Sequence, residues 1–175
     1  SEERVNYACS KILEAKFKLG LFENRFVDEN DISEKIFNQY HKETALKLAR
    51  QGIVLLKNND VLPLRSPKNS KNRILVTGPN ANNQSILGDW HSAQPHDNVY
   101  TVFEGIKKIG TEMGYLVDYH NSNENIKRIS EKDISKTIEV ANEYDMVVLV
   151  IGDNSMRYKW NQKTAGENTA RAELN

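Results

Sequence analysis

Apolar residues return every three or four positions over residues 2–19. Val5, Ala8, Ile12, Ala15 and Leu19 share one face, and Leu13 and Phe17 widen it. The spacing predicts a helix there, with Gly20 as its natural C-cap. It opens without a capping signal, the pattern expected of a helix taken from something longer. The stretch that follows, "LFENRFVDENDISEKIFNQY", has aromatic anchors and many acids but no clean period, and reads as a linker or strap. A second helix is expected over residues 40–51, stopped by Gly52. "IVLLKN" is an apolar run of strand length, and Pro63 and Pro67 break the turn and loop after it.

A different rhythm begins at Arg73. "RILVTG" predicts a buried strand ending at Gly78, and "YLVDYH" and "DMVVLVIG" predict two more, the last also buried. Between them lie two helical patterns. "TVFEGIKKIG" starts with Thr101 and carries Glu104 three positions on, the spacing of a capping box. "EKDISKTIEVANEY" sets Ile134, Ile138 and Ala141 on one face. Strands alternating with helices predict an α/β layer with a mostly parallel sheet. Ligands of such sheets sit beyond the carboxyl ends of the strands. The two longest loops of this region, after Gly78 and after Gly152, fall at that end, and each carries a Trp.

Composition adds exclusions. Among 175 residues, Lys plus Arg and Asp plus Glu balance at 24 each. A chain without net charge gives no argument for a nucleic-acid or membrane-surface partner. No apolar run approaches the ~18 residues of a membrane span. The first residues, "SEERVNYACSK", lack the apolar core of a signal peptide. Cys9 has no partner for an internal disulfide and reads as a small apolar residue.

The candidate chemistries can be weighed on residue types. "GPNANNQSILGDW" fits neither the dinucleotide nor the P-loop glycine pattern, which argues against a nucleotide-binding α/β protein. His91 and His96, with Asp89 and Asp97, have no zinc spacing, so no metal site is expected. There is no G-x-S-x-G elbow, and Cys9 has no His in sequence reach. What remains is carboxylates beside aromatics. Sugars present apolar faces and hydroxyl rims, which call for flat platforms flanked by acids and amides. "LGDWH" and "GDNSMRYKWNQKTAGEN" supply Asp89, Trp90, Tyr158, Trp160, Asn161 and Glu167. Core filling by Trp90 and a solvated surface role for Glu167 remain open on residue types alone.

The order of segments resembles glycoside hydrolase family 3, the β-glucosidase and β-xylosidase type. "SKILEAKFKLGLFEN" is similar to the last helix and exit of that family's first domain, a (β/α)8 barrel. "HKETALKLARQGIVLLKNNDVLPL" resembles the entry to its second domain, an α/β sandwich. "ILVTGPNAN" with "LGDW" resembles the first core strand and sugar-binding loop, and "VVLVIGDN" with "AGENTARAELN" the strand and loop that present the acid/base. The resemblance implies a barrel tail and linker over residues 1–39 and the first portion of the sandwich over 40–175. It implies a retaining β-glycosidase acting on oligosaccharides or β-glucosides, with no cofactor, and with the barrel of the same parent protein as partner and source of an Asp nucleophile. A periplasmic or secreted parent is the corresponding expectation. By the same matching Glu167 is the acid/base, with Asp153 as its rival because many relatives have Gly-Glu where this chain has Gly152–Asp153. Trp90 would flank a sugar ring, with Asp89 and Arg171 supporting the wall or loop; Tyr158 and Trp160 are substrate-binding candidates by residue type. A stand-alone carbohydrate-binding α/β module without hydrolase activity is the alternative.

Overall fold

The structure is a computed structural model, and it describes residues 1–67, 72–155 and 157–169. It divides into two compact units, Ser1–Leu62 and Pro63–Asn175.

The first unit is helical. Helix α1 spans Glu2–Lys18. It closes as its apolar spacing and Gly20 predict. Gly20 takes φ +66°, and Leu21 N–H returns to the Lys16 carbonyl at 3.1 Å, the long bond of a Schellman cap. A single turn, α2 (Ile32–Lys35), interrupts the strap. Helix α3 spans Gln39–Gly52 and is capped by Asn38, whose side chain accepts the His41 N–H. No residue of α1 or α3 is buried. The strand-length run after α3 forms no strand: Ile53, Val54, Leu55 and Leu56 stay exposed, and no strand among the described residues takes up their backbone groups. A strand is a pairing, and apolar length alone does not supply the partner.

The second unit has the expected α/β character. Strand β1 (Arg73–Thr77) lies between β2 (Leu116–His120) and β3 (Met146–Leu149), all parallel, in the order β2-β1-β3. Val76 stands opposite Tyr119 on one side and Val148 on the other. Helix α4 (Val102–Glu112) joins β1 to β2, and α5 (Glu131–Ala141) joins β2 to β3. The two crossovers run in opposite directions across β1. Right-handed connections therefore put α4 and α5 on opposite faces of the sheet. The α4 face holds the core: Ile74, Val76, Ala81 and Val117 are buried, with Phe103, Ile106, Met146 and Val148 packed on them. The predicted Thr101–Glu104 capping box is formed, and α5 carries a second one from Ser130 and Asp133.

Strand β3 departs from the expectation of a buried strand. Met146 and Val148 face the core, but Val147 and Leu149 are 43% and 57% exposed. An unbroken apolar run hides a two-residue alternation, so its second face cannot be read from hydropathy.

The strand order matters for function. In a 2-1-3 sheet the order of strand addition reverses between β1 and β3, which opens a crevice beyond their carboxyl ends. Gly78 leaves β1 there at φ +109°, with a Cβ position 2.2 Å from the Val150 carbonyl oxygen. Only glycine lets the two loops start in such close contact.

Candidate active site

Each loop is folded on itself before it meets the other. After β1, Gln84 and Gln94 exchange bonds: the Gln84 side chain donates to the Gln94 carbonyl at 2.7 Å and accepts the Gln94 N–H at 2.8 Å. This closes a sub-loop that presents Asp89, Trp90 and His91. Trp90 sits at φ +60°, an uncommon conformation for a large residue. Its N–H is held by Asp89 Oδ1 at 2.8 Å. The indole is 72% exposed, so it is not core filling.

After β3, the loop is closed at its base. The Asn154 carbonyl accepts from Thr164 N–H at 2.9 Å and Ala165 N–H at 3.0 Å, and Asn154 N–H donates to Thr164 Oγ1 at 2.9 Å. These bonds bring the two ends of the loop together, as in an Ω-loop. It contains a short 3-10 segment, Arg157–Gln162, with a kink at Lys159. Lys159 reaches Glu124 at 3.7 Å and Lys127 donates to the Asn161 carbonyl at 3.4 Å, which braces the segment from outside.

The loops join at Asp89. Its Oδ2 accepts the Glu167 N–H at 2.9 Å and the Lys163 ammonium at 3.0 Å. Arg157 Nη1 approaches Oδ1 at 3.7 Å. These donors, the Glu167 N–H foremost, then Lys163 and the Trp90 N–H, hold the Asp89 carboxyl down to about 2 against the partial burial that works the other way. Lys163 is fully buried, its ammonium also 4.5 Å from the Trp160 ring centroid. A buried lysine needs such a partner. Gly166, at φ +93°, brings the chain so near that a Cβ there would lie 2.2 Å from Asp89 Oδ2.

Glu167 stands at the mouth of this arrangement, with its side chain 41% exposed. Both terminal nitrogens of Arg157 donate to its Oε2, Nη1 at 3.0 Å. The same guanidinium lies 3.7 Å from the centroid of Trp90 and 5.4 Å from that of Trp160. Tyr158 meets His91 edge-on at 5.6 Å, and burial, with the Glu124 charge adding, raises its phenol above the ordinary value.

The structure thus gathers Asp89, Trp90, Trp160 and Glu167 around Arg157, with Tyr158 on the adjoining face. Asp153 lies exposed on the first stretch of the β3 loop. Arg171 lies outside the described residues. His91 and His96 diverge: His91 Nδ1 donates to the Gly88 carbonyl at 2.6 Å, and His96 Nε2 pairs with Glu104 at 2.8 Å. Among the described residues no group of three or more His, Cys, Asp or Glu is placed to hold a metal ion.

Arg157 and Lys163 are absent from the candidates drawn from residue types. For Arg157 a signal exists: "RYKW" alternates cations with aromatics, the composition of a cation–π stack. For Lys163 there is none, because its burial depends on a carboxylate 74 positions away.

An exposed carboxyl beside exposed indoles, on loops locked to each other, is suited to proton transfer to a ligand with apolar faces. Residues 53–175 match the glycosyl hydrolase family 3 C-terminal domain. The chain is 32% identical to a β-xylosidase of Formosa agariphila over 97% of its length, covering 23% of that protein. It is 28% identical to a lysosomal β-glucosidase of Dictyostelium discoideum over 87%, covering 20%. Its fold matches the crystal structure of a β-glucosidase from Listeria innocua in complex with glucose, at TM-score 0.70 and 25% identity, over 91% of this chain and 20% of that one. The chain therefore spans about a fifth of the length of the relatives it matches.

Proposed function

Because this chain belongs to glycosyl hydrolase family 3, we propose that it supplies the acid/base loop and one wall of the sugar site of a retaining β-glycosidase. The substrates are oligosaccharides or β-glycosides with a terminal β-linked glucose or xylose, the two sugars of the named relatives. The observation that carries this reading is that one guanidinium, Arg157, contacts both the Glu167 carboxyl and the Trp90 indole, with both loops anchored on Asp89.

In a retaining mechanism two carboxyls flank the scissile bond about 5–5.5 Å apart. Glu167 gives its proton to the glycosidic oxygen as the C–O bond breaks, and a second carboxylate bonds to the anomeric carbon. Glu167 then removes a proton from the water that releases the sugar. Trp90 packs an apolar sugar face, and Trp160 and Tyr158 extend that wall. Asp89 holds the wall and the proton donor in register. The second carboxylate belongs to the barrel domain of the same parent protein. The exposed stripe of α1, with Val5, Ile12 and Phe17 each about 60% exposed, supports a packing partner for the first unit.

The test compares hydrolysis of 4-nitrophenyl β-glucoside and β-xyloside by this chain and by the full-length protein containing it. Hydrolysis by the full-length protein alone is expected. Hydrolysis by the chain alone contradicts a second carboxylate from elsewhere. Sugar binding without hydrolysis by the full-length protein favours the binding module.

A further inference from the structure

The charges of the site pair off. Lys163 neutralises Asp89 from within, and Lys159 is turned outward to Glu124. Arg157 faces Glu167, with Asp89 Oδ1 a more distant second partner at 3.7 Å. Its side chain is only 23% exposed, so it is not one of the solvated surface pairs that contribute little. It also covers one face of Trp90 at 3.7 Å. One planar group therefore touches both the acid and the platform.

We infer that Arg157 is a positioning residue that fixes the Glu167 carboxyl against the Trp90 wall and stabilises the carboxylate formed when Glu167 gives up its proton. This rests on the reading of Glu167 as the acid/base. The proton passes from the Glu167 oxygen to the glycosidic oxygen. The C–O bonding pair goes to the leaving group, and Arg157 keeps its own protons throughout. Its stabilising effect therefore grows with the extent of proton transfer. A leaving group that needs a proton depends on Arg157, and one that departs as a stable anion does not. The stack on Trp90 needs a flat, delocalised cation, which Lys does not provide.

The experiment uses the full-length protein with Arg157→Met, Arg157→Lys and Glu167→Gln, and Arg157→Met combined with Glu167→Gln. Two glycosides of the sugar it hydrolyses are compared, one with an alkyl leaving group and one with 2,4-dinitrophenolate. Arg157→Met is expected to lower kcat/KM about 10- to 100-fold for the alkyl glycoside and less than about 3-fold for the dinitrophenyl glycoside. Arg157→Lys is expected to keep the alkyl kcat within about 5-fold while raising KM, because charge is retained and the stack is lost. In the Glu167→Gln background, Arg157→Met is expected to add less than about 2-fold. Equal losses on both glycosides, or losses that multiply in the double variant, overturn the inference and leave the role of Glu167 standing. Full alkyl activity in Glu167→Gln overturns the role of Glu167 and the inference together.

Discussion

The Glu167 backbone N–H donates to Asp89 Oδ2 at 2.9 Å, across 78 positions of sequence. The same carboxylate receives the Trp90 N–H at 2.8 Å. One side chain thus ties the Glu167 backbone to the Trp90 backbone.

This contact has a pH signature. The Asp89 carboxyl is held at about 2, below its ordinary 3.8, chiefly by the Glu167 N–H. A value depressed by folding contributes stability above the ordinary value, and that contribution is lost as pH falls through the folded one. Tryptophan fluorescence of Trp90 and Trp160 is therefore expected to change between about pH 4 and pH 2. Glu104, held low chiefly by the Thr101 N–H, and Asp133, held low by the Ser130 hydroxyl and then the Ser130 N–H, add to acid unfolding from the helix ends. Asp89→Asn isolates the loop contribution: its fluorescence is expected to be altered at neutral pH and to lose the Asp89 part of the acid transition. A wild-type acid titration in Asp89→Asn would contradict the contact.

Gly166→Ala tests the close approach. The substituted Cβ meets a carboxylate oxygen at 2.2 Å and the backbone sits at φ +93°. The loop must move, and Glu167 moves with it. Activity of the full-length protein is expected to fall at least about 10-fold, since displacement near 1 Å at a reacting group has effects of that order. Wild-type rates in this variant would mean that the Glu167 position tolerates a shifted loop.

Lys163→Met tests the buried ion pair. The side chain is fully enclosed, and its loss leaves Asp89 with one charge partner fewer. Breaking such a pair is strongly destabilising, so a drop in Tm of more than about 5 °C is expected. An unchanged Tm would show that the neighbouring N–H donors satisfy Asp89 by themselves.

How far the sequence carried these features depended on how local they are. The start of α4 and its Thr101–Glu104 box follow from neighbours within one turn and were readable, while the helix runs two residues past the expected end at Gly110. So were the parallel strands, because β1 and β2 are bounded by turn residues and separated by a helix. The exposed face of β3 was not readable, since Val147 and Leu149 are as apolar as the residues that face the core. Among the site residues, Trp90 and Glu167 stood out through type and resemblance. Lys163 and Arg157 did not, because each acquires its role from a tertiary pairing: one with Asp89, the other with Trp90 and Glu167. Asp89 was legible as a candidate, yet its engagement by donors from both loops appears only once they are in place.

The most direct test of the central claim is the rate of hydrolysis of an alkyl β-glycoside by the full-length protein carrying Glu167→Gln or Asp153→Asn. A loss of about 100-fold or more in Glu167→Gln, with Asp153→Asn retaining most of the rate, is expected of a proton donor at 167. Full activity in Glu167→Gln with the loss transferred to Asp153→Asn would contradict it.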